Sequence, residues 1–164
     1  MSGKRIKKTN AMRLLAQAKI DYEVFTYRWK EDDLDARHVG AEINRPDDVI
    51  YKTLLAQGDK TGPLVAIIPS HLSIDLKKLA HASGNKKVDM LPLKDLEKTT
   101  GYIRGGCSPI GMKHQLPSYI DQRVNELDQV IVSAGQRGLQ VGLVPQDLID
   151  FIHADVADIT MAHL

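Results

Sequence analysis

Residues 49–68 leave the chain little conformational choice. From 49 to 57 the side chains alternate, with Ile50, Lys52, Leu54 and Ala56 on one face and Tyr51, Thr53 and Leu55 on the other, which is the period of a β-strand. Gly58, Asp59, Lys60, Thr61, Gly62 and Pro63 follow as an unbroken run of turn formers. Residues 64–68, Leu-Val-Ala-Ile-Ile, then form a continuous apolar run, the pattern of a buried strand. Together they predict a central hairpin that carries a lysine among apolar neighbours.

The other elements are read around this hairpin. Thr9 and Asn10 are good caps for a first helix, and Ala11, Leu14, Leu15 and Ala18 recur on one helical face. Residues 22–27 read as a strand. Residues 30–35 are polar and loop-like, and 36–43 read as a short helix ended near Asn44 and Pro46, so this stretch is a candidate flap. Ser73 can cap a helix reaching Ser83, where Gly84 supplies the stop. A short strand is expected at 87–90 and a two-turn helix between Pro92 and Gly101. Residues 105–111 read as an extended glycine-rich segment, residues 118–121, 129–134 and 139–143 as strands, and 145–153 as a last helix. Strict βαβ alternation is lacking, so the class is α+β or mixed α/β.

At 164 residues one domain suffices, and roughly two thirds of the unfolded surface can be buried. Aromatic residues are only 5% of the chain, so aliphatic side chains must fill the core. With 22 lysines and arginines against 21 acids, overall charge makes no case for nucleic-acid binding. A local basic patch can still be built from Lys4, Arg5, Lys7 and Lys8, or from the pairs Lys77-Lys78 and Lys86-Lys87. One cysteine, Cys107, excludes an internal disulfide framework, and no apolar stretch approaches the roughly 20 residues that cross a bilayer. A cytoplasmic protein without a membrane partner is expected.

Three places can carry chemistry. Lys52 is costly among apolar neighbours unless its ammonium finds a partner or water; it can bind phosphate in a cleft, or simply snorkel from a strand edge. Gly105 and Gly106 allow close backbone approach to an oxyanion or phosphate, Ser108 adds a hydroxyl and Pro109 stiffens the turn, although a purely structural turn has the same composition. Ser133 and Gly135, with Arg137 and Gly138, form a third glycine-containing turn that a plain hairpin would also need. Cys107 invites a nucleophile reading with His38, His71 or His114 as base, against the alternative of a small buried hydrophobe. The histidines show no metal-ligand spacing, and no cofactor is expected.

These segments, in this order, resemble the YbaK family of aminoacyl-tRNA deacylases, which is related to the editing domain inserted in bacterial prolyl-tRNA synthetases. The resemblance runs through Val49-Ile50-Tyr51-Lys52-Thr53-Leu54-Leu55, Asp75-Leu76-Lys77-Lys78-Leu79-Ala80, Lys86-Lys87-Val88 and Thr100-Gly101-Tyr102. It continues through the loop from Gly105 to Gly111, Leu116-Pro117, Ile120-Asp121, Val132-Ser133-Ala134-Gly135 and Arg137-Gly138-Leu139.

The resemblance implies one α+β domain over residues 1–164, with a mixed, barrel-like sheet flanked by helices. It also implies hydrolysis of mischarged tRNA, most similar to the stand-alone Cys-tRNA(Pro) deacylases. By this likeness Lys52 is the key site residue and holds the tRNA 3′ end. Tyr27, Thr53, Gly105, Gly106, Ser108, Pro109, Ser133 and Gly135 line the substrate pocket. The cysteinyl thiol of the substrate would attack its own carbonyl, so the protein would need no nucleophile, and prolyl-tRNA synthetase is an implied partner. Gln140 departs from the pattern, standing where some relatives carry aspartate. The alternatives are a deacylase for another amino acid, such as alanine on tRNA(Pro), or a non-catalytic module that binds nucleotides or RNA ends.

Overall fold

The hairpin forms as expected, from strands Tyr51–Gly58 and Gly62–Pro69 (β2 and β3), in register from Tyr51 opposite Pro69 to Gly58 opposite Gly62. The computed structural model describes residues 7–28 and 43–161. The flap assigned to 30–35 and the greater part of the helix assigned to 36–43 lie outside these described residues. At the hairpin turn, Asn85 Oδ1 accepts from the N–H groups of Lys60 and Thr61 at 2.8 and 3.0 Å. A Cβ on Gly58 would come within 2.2 Å of Asn85 Nδ2, so only glycine lets the amide enter. A buried polar side chain thereby satisfies turn donors that the two strands cannot reach.

Two sheets are built around this hairpin. Val88–Met90 (β4) pairs antiparallel with β2, and Ser118–Asp121 (β5) lies parallel beside β3. Asp155–Ala157 (β8) lies parallel beside β5, completing a five-stranded mixed sheet of order β4-β2-β3-β5-β8. Glu23–Thr26 (β1), Val130–Ser133 (β6) and Leu139–Leu143 (β7) make a three-stranded antiparallel sheet of order β1-β7-β6. The sheets meet through a parallel bridge between Ile50 and Ile131. The α+β class and the mixed sheet are as expected, but among the described residues the strands form two sheets and no closed barrel.

Covered faces explain the burial pattern. Helices Asn10–Gln17 (α1) and Pro145–Ile152 (α4) pack Leu15 and Leu148 into a core shared with Tyr51, Leu55, Val65, Ile120, Val132 and Val141. Helix Leu76–Ser83 (α2) sets Leu79 and Ala80 on the opposite face of the five-stranded sheet, against Ala56, Ala66 and Ile68. A third cluster of Phe25, Ile43, Ile50 and Ile131 fills the seam between the sheets. Strand β2 is therefore buried on both faces, and the alternation read from its sequence sorts residues between clusters. It does not divide inside from outside.

Local signals held with small shifts. Thr9 caps α1, its hydroxyl oxygen accepting from Met12 N–H at 3.2 Å, and the helix stops before Ala18, so Met12 is buried where Ala18 was expected. Asp75, in place of Ser73, caps α2 by accepting from Lys77 and Lys78 N–H at 3.0 and 3.1 Å, because a carboxylate opposes the helix dipole better than a hydroxyl. Gly84 ends that helix at φ 76°. The segment after Pro92 divides into a 3-10 turn, Leu93–Asp95, and a short helix, Leu96–Thr100 (α3), ended by Gly101 at φ 82°. Residues 105–111 form turns and bends, with Gly105 and Gly111 at positive φ that an extended chain does not adopt.

Strand β8 carries no sequence signal. Asp121, fully buried at the end of β5, accepts from Ile159 N–H at 3.3 Å, from the Thr160 hydroxyl at 3.1 Å and from Arg123 at 3.2 Å. That carboxylate holds the C-terminal segment to the sheet.

Candidate active site

Lys52 lies in the middle of β2, half-buried, opposite Ile68 of β3. The Ile50 to Ile131 bridge is parallel. Lys52 and Ser133, each two residues further along, therefore leave it in the same direction and on the same face. Across the smaller sheet, Ser133 stands opposite Gln140, and Gln140 opposite Phe25, so these three share one face as well. Tyr27 follows directly: its N–H donates to the Gly138 carbonyl at 3.0 Å, and its ring packs on the cluster of Phe25, Ile43, Ile50 and Ile131. Three residues far apart in sequence, Tyr27, Lys52 and Ser133, thus gather around one apolar seam.

The glycine loop forms the rim. A Cβ on Gly106 would stand 3.1 Å from Arg137 N and 3.3 Å from Gln136 Cα, so the loop lies flat against the turn after β6. Arg137 Nε donates to the Arg104 carbonyl at 2.9 Å and ties the two turns together. Gly106 N–H donates within its own turn to Ile103, at 3.0 Å. Ser108 is fully buried and its oxygen accepts from Ile110 N–H at 3.1 Å, which shapes the loop from inside; Pro109 is buried beside it. Gly105, at φ 86°, is exposed. Thr53 faces the main core side of β2, and its buried hydroxyl has no hydrogen-bond partner among the described residues.

Tyr102 was not singled out by sequence as a working residue, yet it rivets this rim. Its hydroxyl donates to the Ile110 carbonyl in a short hydrogen bond, and its ring closes on Gly135, whose Cβ would stand 2.9 Å from Tyr102 Cε1. Gly135, at φ 95°, offers its N–H to the Ser133 oxygen at 3.2 Å, so the Ser133 hydroxyl is oriented by its own turn. Burial pushes the Tyr102 phenol up to about 12, so it stays a donor throughout the physiological range. Its signal in the sequence is its place in the family-like segment Thr100-Gly101-Tyr102, which gives it no role.

Gln140 is buried at 7% exposure, and its side-chain oxygen has no hydrogen-bond partner among the described residues. An unmatched buried acceptor costs about 1–3 kcal/mol. It lies one strand from Ser133, on the same face. Cys107 is half-buried, and burial pushes its thiol up to about 12, far from the thiolate a nucleophile requires. His71 and His114 are exposed, and His38 lies outside the described residues. No group of three or more His, Cys, Asp or Glu residues that can hold a metal occurs among the described residues. No helix among them is long and apolar enough to cross a membrane.

A half-buried cation and an oriented hydroxyl beside an apolar seam suit a ligand that presents a polar end and rests an apolar part on that seam. Residues 33–151 match the family of aminoacyl-tRNA editing domains, and the chain belongs to that family. Among its relatives is an Enterococcus faecalis protein named "Putative Cys-tRNA(Pro)/Cys-tRNA(Cys) deacylase EbsC", 51% identical over 94% of both chains. The fold matches a crystal structure described as a "putative trans-editing enzyme for prolyl tRNA synthetase", with TM-score 0.79 and 19% identity over 96% of this chain and all of that one. A hypothetical protein of known structure superposes with TM-score 0.81 at 17% identity, over 91% of this chain and 97% of the other.

Proposed function

We propose that this protein is a trans-editing hydrolase that deacylates mischarged tRNA, with Cys-tRNA(Pro) as its substrate. The observation that carries the reading is the 51% identity, over nearly the full length of both chains, to a relative bearing that activity in its name. The site chemistry agrees with it. Cys107 is held as a thiol, so the protein offers no activated cysteine, and the substrate supplies the nucleophile. The cysteinyl sulfur attacks its own ester carbonyl, the carbon–oxygen bond to ribose breaks, and the ribose oxygen takes the thiol proton. The resulting thiolactone is opened by water. A free thiol ionises at about 8.5, so the cysteinyl group reaches its reactive anion near neutrality where a serine hydroxyl does not. Selectivity then comes from reactivity as well as fit.

In this scheme Lys52 anchors the terminal adenosine or its phosphate as a point charge. Ser133 and Tyr27 position the ester, the glycine loop borders it, and Thr53 supports the strand that carries the lysine. Gln140 provides an uncharged acceptor beside Ser133. The enzyme works in the cytoplasm, where charged tRNA is made, and prolyl-tRNA synthetase, which produces the mischarged species, is its natural partner.

The test is a deacylation panel on Cys-, Ala- and Ser-tRNA, run with and without the synthetase. Wild type should release cysteine fastest. Lys52→Ala should lose at least about a hundredfold in kcat/KM, about 2.7 kcal/mol of transition-state stabilisation, with an unchanged melting temperature. Cys107→Ala should remain active. Near-normal turnover by Lys52→Ala would sink the assignment, and preference for Ala-tRNA would transfer it to a water-dependent deacylase.

A further inference from the structure

Strand pairing lines three polar side chains across one face. Lys52 of β2 and Ser133 of β6 leave the Ile50 to Ile131 bridge in the same direction, and Ser133 stands opposite Gln140 of β7. Neighbouring strands lie about 4.8 Å apart, so the row Lys52, Ser133, Gln140 crosses the face one strand at a time. The row ends at β1. Phe25 stands opposite Gln140, and Phe25 and Tyr27 belong to one apolar cluster on this face. The Arg45 guanidinium covers the Phe25 ring at 4.9 Å from its centroid, and Glu23 meets its charge at 3.5 Å.

Within this row the hydrogen bonding of Gln140 is incomplete. The residue is 7% exposed, and its Oε1 is buried without a partner. The Ser133 hydroxyl does not supply one, although side chains that face each other across a strand pair stand about 5 Å apart. Ser133 Oγ accepts from Gly135 N–H at 3.2 Å and keeps a second lone pair. Two acceptors side by side call for a ligand group with at least two N–H bonds. Next to its carbonyl an aminoacyl ester carries one such group, the α-amino group.

We infer that Gln140 Oε1 receives the α-amino group of the aminoacyl ester, shared with the Ser133 oxygen, so that the site takes esters with a free α-amine and rejects N-acylated ones. The inference rests on the deacylase reading above, in which Lys52 holds the nucleotide and Ser133 the ester; the amine then falls next in the row. An amide oxygen accepts from an amine or an ammonium alike. Acylation removes N–H donors and adds a group that meets the Phe25 and Tyr27 wall. N-formyl-aminoacyl-tRNA and peptidyl-tRNA are thereby spared.

The test uses two probes that cannot be hydrolysed at an ester, 3′-cysteinylamido-3′-deoxyadenosine and its N-acetyl form, with binding followed by titration calorimetry. Wild type should bind the free amine at least about tenfold more tightly than the N-acetyl form. Gln140→Met, which keeps the length and removes the acceptor, should lose at least about tenfold on the free amine, bind the N-acetyl probe as wild type does, and raise KM for Cys-tRNA. It should melt no lower than wild type, because an unmatched buried acceptor is gone. Gln140→Glu, which restores acceptor oxygens, should restore the preference for the free amine. Equal affinity of wild type for the two probes would overturn the inference and needs no variant. So would an unaltered preference in Gln140→Met, or an equal loss on both probes with a lower melting temperature, the mark of a merely structural residue. If wild type prefers the free amine but deacylates no charged tRNA, the deacylase reading falls and the amine site stands.

Discussion

Single residues carry the shape of this site through very short approaches. Gly135 combines a left-handed φ of 95° with a Tyr102 ring that would lie 2.9 Å from any Cβ. Gly135→Ala should therefore cost about 1–3 kcal/mol, read as a lower urea midpoint, and should reduce kcat/KM on Cys-tRNA more than it reduces stability alone would explain, because Ser133 is oriented by that turn. An unchanged midpoint would show that the tyrosine gives way. The residue scale is also where the sequence was least legible. Lys52 stood out as a cation on an apolar strand, and the glycines stood out as turns, but composition alone left structural and functional readings open for all of them. Tyr102 and the unmatched oxygen of Gln140 are not legible at all in this sense. Their roles depend on what another strand or loop presents to them, and no local pattern encodes that.

At the scale of elements, the hairpin, α1, α2 and α4 were legible because each carries its own stop and start chemistry: Gly58 to Pro63 for the turn, Thr9 for a cap, Gly84 for a stop, Pro145 at a helix start. The glycine loop was misjudged as extended because glycine permits φ values that no side-chain pattern announces. Strand β8 was missed because Asp155, Val156 and Ala157 pair on only one side and take their order from β5 and from Asp121. This dependence is testable. Asp121→Asn keeps the size of the side chain but turns one acceptor oxygen into a donor facing other donors. It should cost about 3 kcal/mol in urea unfolding and should expose the amides of residues 155–160 to hydrogen exchange before those of the hairpin. Uniform loss of protection along the chain would argue against a local clamp.

For the whole molecule, the two sheets share one core and meet through the Ile50 to Ile131 bridge, with Tyr27, Lys52 and Ser133 at the seam. We expect the chain to unfold as a single cooperative domain, with far-UV and near-UV circular dichroism transitions in urea that coincide. Separate midpoints would mean two folding units and a site built between them. The amino-acid sequence alone determined the α+β class, the central hairpin, the Thr9 cap, the Gly84 and Gly101 stops and the family pattern, because these follow from side-chain periodicity and backbone preference within a few residues. Only the tertiary structure decided that Lys52 and Ser133 leave the same bridge and that the glycine loop lies on the turn after β6. These are contacts between distant segments, set by how the sheets pack and not by any residue's own propensity.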